Sequence, residues 1–300
     1  MPDVYLDHAA ATQLDPRVLE VMLPYLEDKY GNPSSFHSRG KVATDALREA
    51  RSSIANILHV RPDEILFTSG GTESDNLAIL GYARMNKQFG VHIITTSFEH
   101  HAVLEACIRL EKKEGFRVTY LKPSKEGMID SRQIEDALTE DTILVSIMYA
   151  NNEVGTIQPI AEIGNVIRKY REEHKLSHLV FHTDACQAAA YLDMNIEKLH
   201  VDMLTMNGPK IYGPKGTGLL YVKRGIKLEP LMFGGAQERG IRPGTENIAG
   251  IIGFAKAFEL VQAEKEAEIA RLIPIRDKLI DGILSTIPRT RVNGDRTHRL

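Results

Sequence analysis

Two lysines, Lys210 and Lys215, stand in a run of glycine and proline, Asn207-Gly208-Pro209-Lys210-Ile211-Tyr212-Gly213-Pro214-Lys215-Gly216, between two strand-like segments. A lysine on so stiff a loop can be kept from bulk water, which lowers its pKa and lets the neutral amine form an imine with an aldehyde. Composition leaves both lysines open, and leaves open that either is a solvated surface residue. Asp184 follows the strand-like run HLVFHT, where an α/β sheet presents residues to its ligand crevice. A carboxylate there can keep the ring nitrogen of a bound heterocycle protonated, or it can cap a turn.

Three further segments follow strands in the same way. In Thr68-Ser69-Gly70-Gly71-Thr72-Glu73-Ser74-Asp75-Asn76 the paired glycines let backbone N–H groups turn toward an anion and Thr72 adds a hydroxyl. The helical run that follows, Leu77 to Tyr82, puts a helix N-terminus there, so a phosphate suits the place; glycines after a strand also serve as plain turn residues. His100, in Glu99-His100-His101, can stack on an aromatic ligand and carry protons near neutral pH, or simply start a helix. The amides of Asn151-Asn152-Glu153-Val154-Gly155 can hydrogen-bond a phenolic oxygen or shape a turn.

The elements that must position these groups read as α/β. EILFT, VHIITT, RVTYL, TILVSIMY, HLVFHT, VDMLTM and TGLLYVK have the β-branched content of strands, and amphipathic helical stretches alternate with them. About seven strands suit one broad, mostly parallel sheet flanked by helices, with its crevice beyond the strand ends. Asp15-Pro16 reads as an N-cap with proline at the first helical position, followed by Val18, Leu19, Met22 and Leu26 at helical spacing. Lys41 to Leu58 carries a second helical face through Ala43, Leu47, Ala50, Ile54 and Leu58. After Gly250 a long helical pattern runs through Phe254, Phe258, Val261 and Ile269. The expected division is an arm over 1–15 contributing to a small domain, a large domain over 16–250, and the start of an incomplete small domain over 251–300.

Bulk properties narrow the partners. The 300 residues are 43% hydrophobic, enough to bury a sizeable core, and the net charge of -3 has no basic stripe of the kind that follows a nucleic acid. No apolar run reaches the roughly 20 residues that span a bilayer, and no basic-then-apolar leader opens the chain, so the expected setting is the cytosol. The two cysteines, Cys107 and Cys186, offer neither a disulfide framework nor a cysteine-rich metal site.

Taken in order, YLDHAAAT, GNPSSFHSRG, TSGGTESDN, EHHAVLE, NNEVGTIQPI, HTDACQA, KIYGPKGTG and GGAQERGIRPGTEN resemble the class V aminotransferase group of fold type I pyridoxal phosphate enzymes. The resemblance is greatest to the cysteine desulfurases, and it runs from Tyr5 to the last residue. It implies pyridoxal 5'-phosphate held as a Schiff base at Lys210, with Lys215 left to the following turn. It implies that Gly71, Thr72 and Asn207 hold the phosphate, with Thr245 reaching in from the partner of a homodimer. By the same resemblance Asp184 pairs with the ring nitrogen, Gln187 and Asn152 bond the ring-oxygen region, and His100 stacks on the ring. The implied activity converts L-cysteine to L-alanine, with sulfur carried as an enzyme persulfide toward iron–sulfur cluster or tRNA thiolation pathways through an acceptor protein.

Three departures bear on that expectation. Asn207 and Pro209 stand where the family usually has serine and histidine; an amide still donates to phosphate, whereas proline has no donor at all. The family's catalytic cysteine and its substrate-binding arginine have no counterpart in these residues. Cys186, between Asp184 and Gln187, and Cys107, in a helical stretch, both read as buried, unreactive thiols. The expectation is therefore a shortened desulfurase that keeps its cofactor pocket. The alternatives are a catalytically silent protein of the same fold that binds cofactor and a partner, or another class V enzyme such as an aminotransferase or a selenocysteine lyase.

Overall fold

The computed structural model describes residues 4–300. Its helices are α1 (Pro16–Leu26), α2 (Ser38–Leu58), α3 (Gly71–Asn76), α4 (Tyr82–Asn86), α5 (His101–Glu114), α6 (Ser131–Ala137), α7 (Ile160–His174), α8 (Ile196–Leu199) and α9 (Ile248–Thr286). Its strands are β1 (Ile65–Thr68), β2 (His92–Thr96), β3 (Arg117–Leu121), β4 (Thr142–Ser146), β5 (Val180–Asp184), β6 (Met203–Asn207) and β7 (Gly218–Val222). The seven expected strands are all present and form one sheet in the order β1-β7-β6-β5-β4-β2-β3. Only β7 runs against its neighbours; the other pairings are parallel.

The near-continuous apolar character of these strands has a direct cause. Helices cover both faces of the sheet, so successive side chains have no wet side to alternate with. Leu66, Ile93, Leu144, Val180, Met203 and Leu220 pack on one face with Leu77, Val103 and Cys107 of the helical segments after β1 and β2. Phe67, Ile94, Val145, Phe181, Leu204 and Leu219 pack on the other with Ile54, Ile163, Phe254 and Phe258 from α2, α7 and α9. The outer edge of β1 is closed by side chains rather than by another strand. Glu238 accepts from Phe67 N at 3.1 Å, and Arg51 donates to Ile65 O at 2.6 Å while pairing with Glu238.

Helix starts follow the sequence signals. Asp15 caps α1 by accepting from Arg17 N at 2.8 Å, with Pro16 in the first turn. The long helix α9 begins at Asn247, whose side chain accepts from Gly250 N, and buries Phe254 and Phe258 completely. Farther along, Ile275 and Leu279 are exposed. The final residues return to the turn after β4, where Ile157 N donates to His298 O and Leu300 N donates to Gly155 O, each at 2.9 Å.

The N-terminal arm is stapled to the loop that carries Lys210. Thr12 N and Thr12 Oγ1 both donate to Pro209 O, at 2.8 and 3.0 Å, and Thr12 Oγ1 accepts from Tyr212 N at 2.8 Å. Asp15 N donates to Tyr212 O at 3.0 Å. Thr12 is 3% exposed, so removing its hydroxyl leaves buried partners without water to replace it. Thr12→Val, nearly isosteric, is expected to cost about 1–3 kcal/mol of stability in urea unfolding.

Candidate functional site

A cavity of about 570 Å³ opens at the carboxyl ends of the central parallel strands. Lys210, Asp184, His100, Gly71, Thr72, Asn152, Gln187 and Asn207 all line it. Residues separated by more than a hundred positions are thus gathered on one crevice, the place where open α/β sheets collect ligands.

Lys210 ends a short 3-10 turn, Gly208–Lys210, in the connection from β6 to β7. Gly208 admits no side chain: a Cβ there would lie 2.3 Å from Thr217 Oγ1 and 2.4 Å from Pro214 O. The amine of Lys210 points back at the arm and donates to Ala9 O at 2.6 Å and Ala10 O at 2.5 Å. Burial pushes its pKa below the ordinary lysine value, against the opposing influence of Cys186, Asp7 and Asp184. Lys215 is exposed on the turn beyond and does not line the cavity.

Asp184, the last residue of β5, is 7% exposed and accepts from Cys186 N at 2.9 Å. It shares the cavity with Asp75, which is 1% exposed, and Glu99 lies buried close by. Burial, and then the charge of Asp184, hold Asp75 well above the usual carboxylate range. Glu99 is pushed up to about 8, chiefly by burial, although its Oε1 accepts from Thr96 Oγ1 at 2.7 Å and Met148 N at 2.9 Å. His182, two residues before Asp184 on the same face of β5, is driven down to about 3 by burial and is neutral.

Gly71 opens α3, and its Cα faces Cys186 and Asn207: a Cβ would sit 2.8 Å from Cys186 Sγ and 3.4 Å from Asn207 Nδ2. The first-turn N–H groups of α3 have no helical partners. Glu73 fixes this loop by accepting from Ser69 N at 2.8 Å and from Arg242 Nε at 2.9 Å. Asn207 Oδ1 is buried without a partner. On the cavity wall, His100 caps α5, its Nδ1 accepting from Ala102 N at 3.1 Å. The two amides after β4 divide their work. Asn151 is buried and shapes the turn by accepting from Glu153 N and Val154 N, while Asn152 lines the cavity. Gln187 Nε2 donates to Ala9 O at 2.8 Å. Thr245 is exposed and stands outside the lining of this cavity.

The residues present fit pyridoxal phosphate. A partly dehydrated primary amine, a buried strand-end carboxylate and a glycine cradle that a Cβ would fill, with the Asn207 amide nitrogen beside it, meet in one crevice. Sequence reasoning did not single out Asp7, Ala9 and Ala10 of the arm, nor Asp75, Glu73 or Met148, all of which line the cavity. The arm carries no distinctive donor pattern, because its part is played by backbone carbonyls. Asp75 had a signal in hindsight: a carboxylate in the first turns of a helix that the β-strand before it delivers to the crevice.

Comparison with known proteins agrees with this geometry. The family described as "Aminotransferase class-V" matches residues 4–300. "Cysteine desulfurase IscS" of Methanosarcina thermophila is 48% identical over 297 residues, covering 99% of this chain and 71% of the relative. A solved structure titled "NIFS-LIKE PROTEIN" superposes with a TM-score of 0.90 at 40% identity, covering 95% of this chain and 76% of the other. A second, "SspA in complex with cysteine", has a TM-score of 0.80 at 44% identity over 86% of this chain and 72% of its own.

The glycine cradle supplies a stability test. Gly71→Ala is expected to cost about 1–3 kcal/mol through the clash with Cys186 Sγ. A double-mutant cycle in denaturant with Cys186→Ala should show a favourable coupling of about 0.5–3 kcal/mol, whereas strict additivity would mean that the two positions do not press on one another.

Proposed function

The chain belongs to the class-V aminotransferase family, in its branch of pyridoxal-phosphate-dependent cysteine desulfurases, and on that premise we propose that it binds the coenzyme through Lys210 and acts on L-cysteine. The observation that carries this reading is the meeting of Lys210, Asp184, His100 and the Gly71 cradle in a single cavity. When bound, pyridoxal phosphate supplies an electron-accepting ring that stabilises negative charge at the α-carbon of an amino acid.

The side chains divide the remaining work. Lys210, with its lowered pKa, would hold the coenzyme and would be the amine placed to move protons at the substrate's carbon atoms. The Asp184 carboxylate would keep the ring nitrogen protonated, and His100 would cover a face of the ring. Gly71 and Thr72 at the start of α3, together with Asn207, receive the phosphate. Asn152 and Gln187 serve the ring oxygen. Thr245, exposed and outside its own chain's cavity, fits a role in the pocket of a second copy in a homodimer.

In this chemistry a thiolate attacks the substrate's sulfur, the carbon–sulfur bond breaks with its electron pair left on carbon, and that carbon takes a proton to give L-alanine. The sulfur remains as a persulfide for an acceptor protein serving iron–sulfur cluster assembly or tRNA thiolation, in a cytoplasmic setting. Neither thiol in these 300 residues suits the attack. Cys107 and Cys186 are both buried, and burial pushes both thiols up, away from the reactive thiolate. That observation favours a second reading for the 300 residues by themselves, coenzyme binding without turnover.

One measurement tests the lysine assignment and a second separates the two readings. Lys210→Ala should abolish the visible absorbance of lysine-bound coenzyme while Lys215→Ala keeps it; the reverse pattern would move the assignment to Lys215. The 300 residues, loaded with coenzyme and given L-cysteine, should release little or no alanine, and Cys186→Ala should keep the absorbance. Substantial alanine release, lost in Cys186→Ala, would make Cys186 the nucleophile.

A further inference from the structure

The floor of the cavity carries more acid than one coenzyme ring can use. Asp184, Asp75 and Glu99 are 7%, 1% and 6% exposed, and among the described residues none of them pairs with a lysine or arginine. Asp75 has His182 in range, with Nε2 3.7 Å from Asp75 Oδ1. That histidine is no counter-charge: its two ring nitrogens are engaged by Ser146 Oγ at 2.9 Å and Thr205 Oγ1 at 3.0 Å, and burial keeps it neutral. Asp75 Oδ1 is buried with no hydrogen-bond partner, in a residue that lines the cavity.

Two ionised carboxylates cannot share such a place. A buried, unpaired charge costs far more than a neutral polar group, and a second like charge nearby adds to that cost. One proton must therefore reside on the pair, as in other closely coupled acids. Asp184 accepts from Cys186 N, whereas Asp75 is the more buried, has Thr205 of β6 beside it and keeps one oxygen unmet; burial outweighs the Thr205 hydroxyl and raises Asp75.

We infer that Asp75 is a proton-bearing positioning residue: it stays neutral beneath the cavity floor, so that Asp184 is the single carboxylate offered to the ring nitrogen. Its purpose rests on the coenzyme reading above; its charge state does not. A floor with one net negative charge matches one protonated ring nitrogen. A floor with two would hold that cation in excess and pull protons from Lys210 chemistry toward the acids. Burial likewise pushes Glu99 up to about 8, and it is committed instead to the turn after β4, through Met148 N.

Around Asp75 stand Asp184 and His182 from β5, Cys186 after it, Glu99 after β2 and the Thr205 hydroxyl of β6, while Asp7, Glu73, His100, Glu153 and Lys210 are the other titratable groups of the cavity lining. Asp75→Asn keeps the shape and neutrality of the protonated acid. An acid whose folded pKa exceeds its unfolded value costs stability once the pH rises above the unfolded value of about 3.9. Removing it should therefore raise the melting temperature of the coenzyme-free variant relative to wild type at pH 8, by a margin that shrinks as the pH falls toward 4. Coenzyme affinity should stay within about threefold of wild type, and the ¹⁵N shift of the bound ring nitrogen should not move. A lower melting temperature for the variant at pH 8, or a loss of affinity of about tenfold or more, would overturn the inference.

A measurement on the wild-type chain covers the case in which Asp75→Asn does not fold. With ¹³C-carboxyl aspartate incorporated, one aspartate should carry the shift of a protonated acid near neutral pH without coenzyme; a spectrum in which every aspartate is ionised would sink the idea. Should wild type fail to bind coenzyme, that result counts against the coenzyme reading alone, since the carboxyl spectrum and the melting curves are read without it.

Discussion

The structure depends on keeping one amine partly out of water at the rim of a sheet. A solvated lysine is protonated and poor at forming a bond to carbon; a dehydrated one is available for it. The fold achieves this with the strand pairing. Because β7 returns antiparallel to β6, the connection between them needs no crossover helix and spans only Asn207 to Gly218. That short connection is held by Gly208, which packs against Thr217 and Pro214, and by the arm, whose Thr12 clasps Pro209 and Tyr212. The carbonyls of Ala9 and Ala10 then aim the amine.

Several buried polar atoms without partners lie in or beside the crevice. Asn207 Oδ1, Asp75 Oδ1 and Glu99 Oε2 are buried without partners, and all three belong to the carboxyl ends of the strands or the segments that follow them. Unmet polar atoms cost stability and are uncommon in folded proteins, so two of them on the wall of one cavity, Asn207 Oδ1 and Asp75 Oδ1, call for a purpose other than packing. The same sheet face below is ordinary core, with Leu144, Val180 and Met203 under His182 and Asp184. Cavity-lining groups thus stand at the ends of β1, β2, β4, β5 and β6, and packing occupies the lengths of these strands.

Much of this was legible in the residues. The strands were readable because both faces are buried, which leaves runs such as Ile93-Ile94 and Leu144-Val145 uninterrupted by polar alternation. The cap at Asp15 was legible because its chemistry is local. The long strand expected over Thr142 to Tyr149 stops at Ser146: beyond it Ile147 N and Tyr149 N still donate to His182 O and Asp184 O of β5, but on the other side Met148 N donates to the Glu99 side chain instead of to a strand. Order along the sequence selected Lys210 over Lys215, a choice that composition had left open. What the sequence did not reveal is carried by backbone or by burial. The arm's carbonyls have no side-chain signature, and the charge state of Asp75 is set by residues from three other segments. Asn151 and Asn152 were indistinguishable until the turn showed that the first is spent on backbone N–H groups.

The central claim, that Lys210 is the amine that captures the coenzyme, is tested most directly by fixing the bond chemically. Borohydride reduction of the chain incubated with pyridoxal phosphate, followed by proteolysis and mass mapping, should place a stable pyridoxyl group on the peptide containing Lys210 and on no other. A reduced adduct on Lys215, spread over surface lysines, or absent altogether would contradict the account.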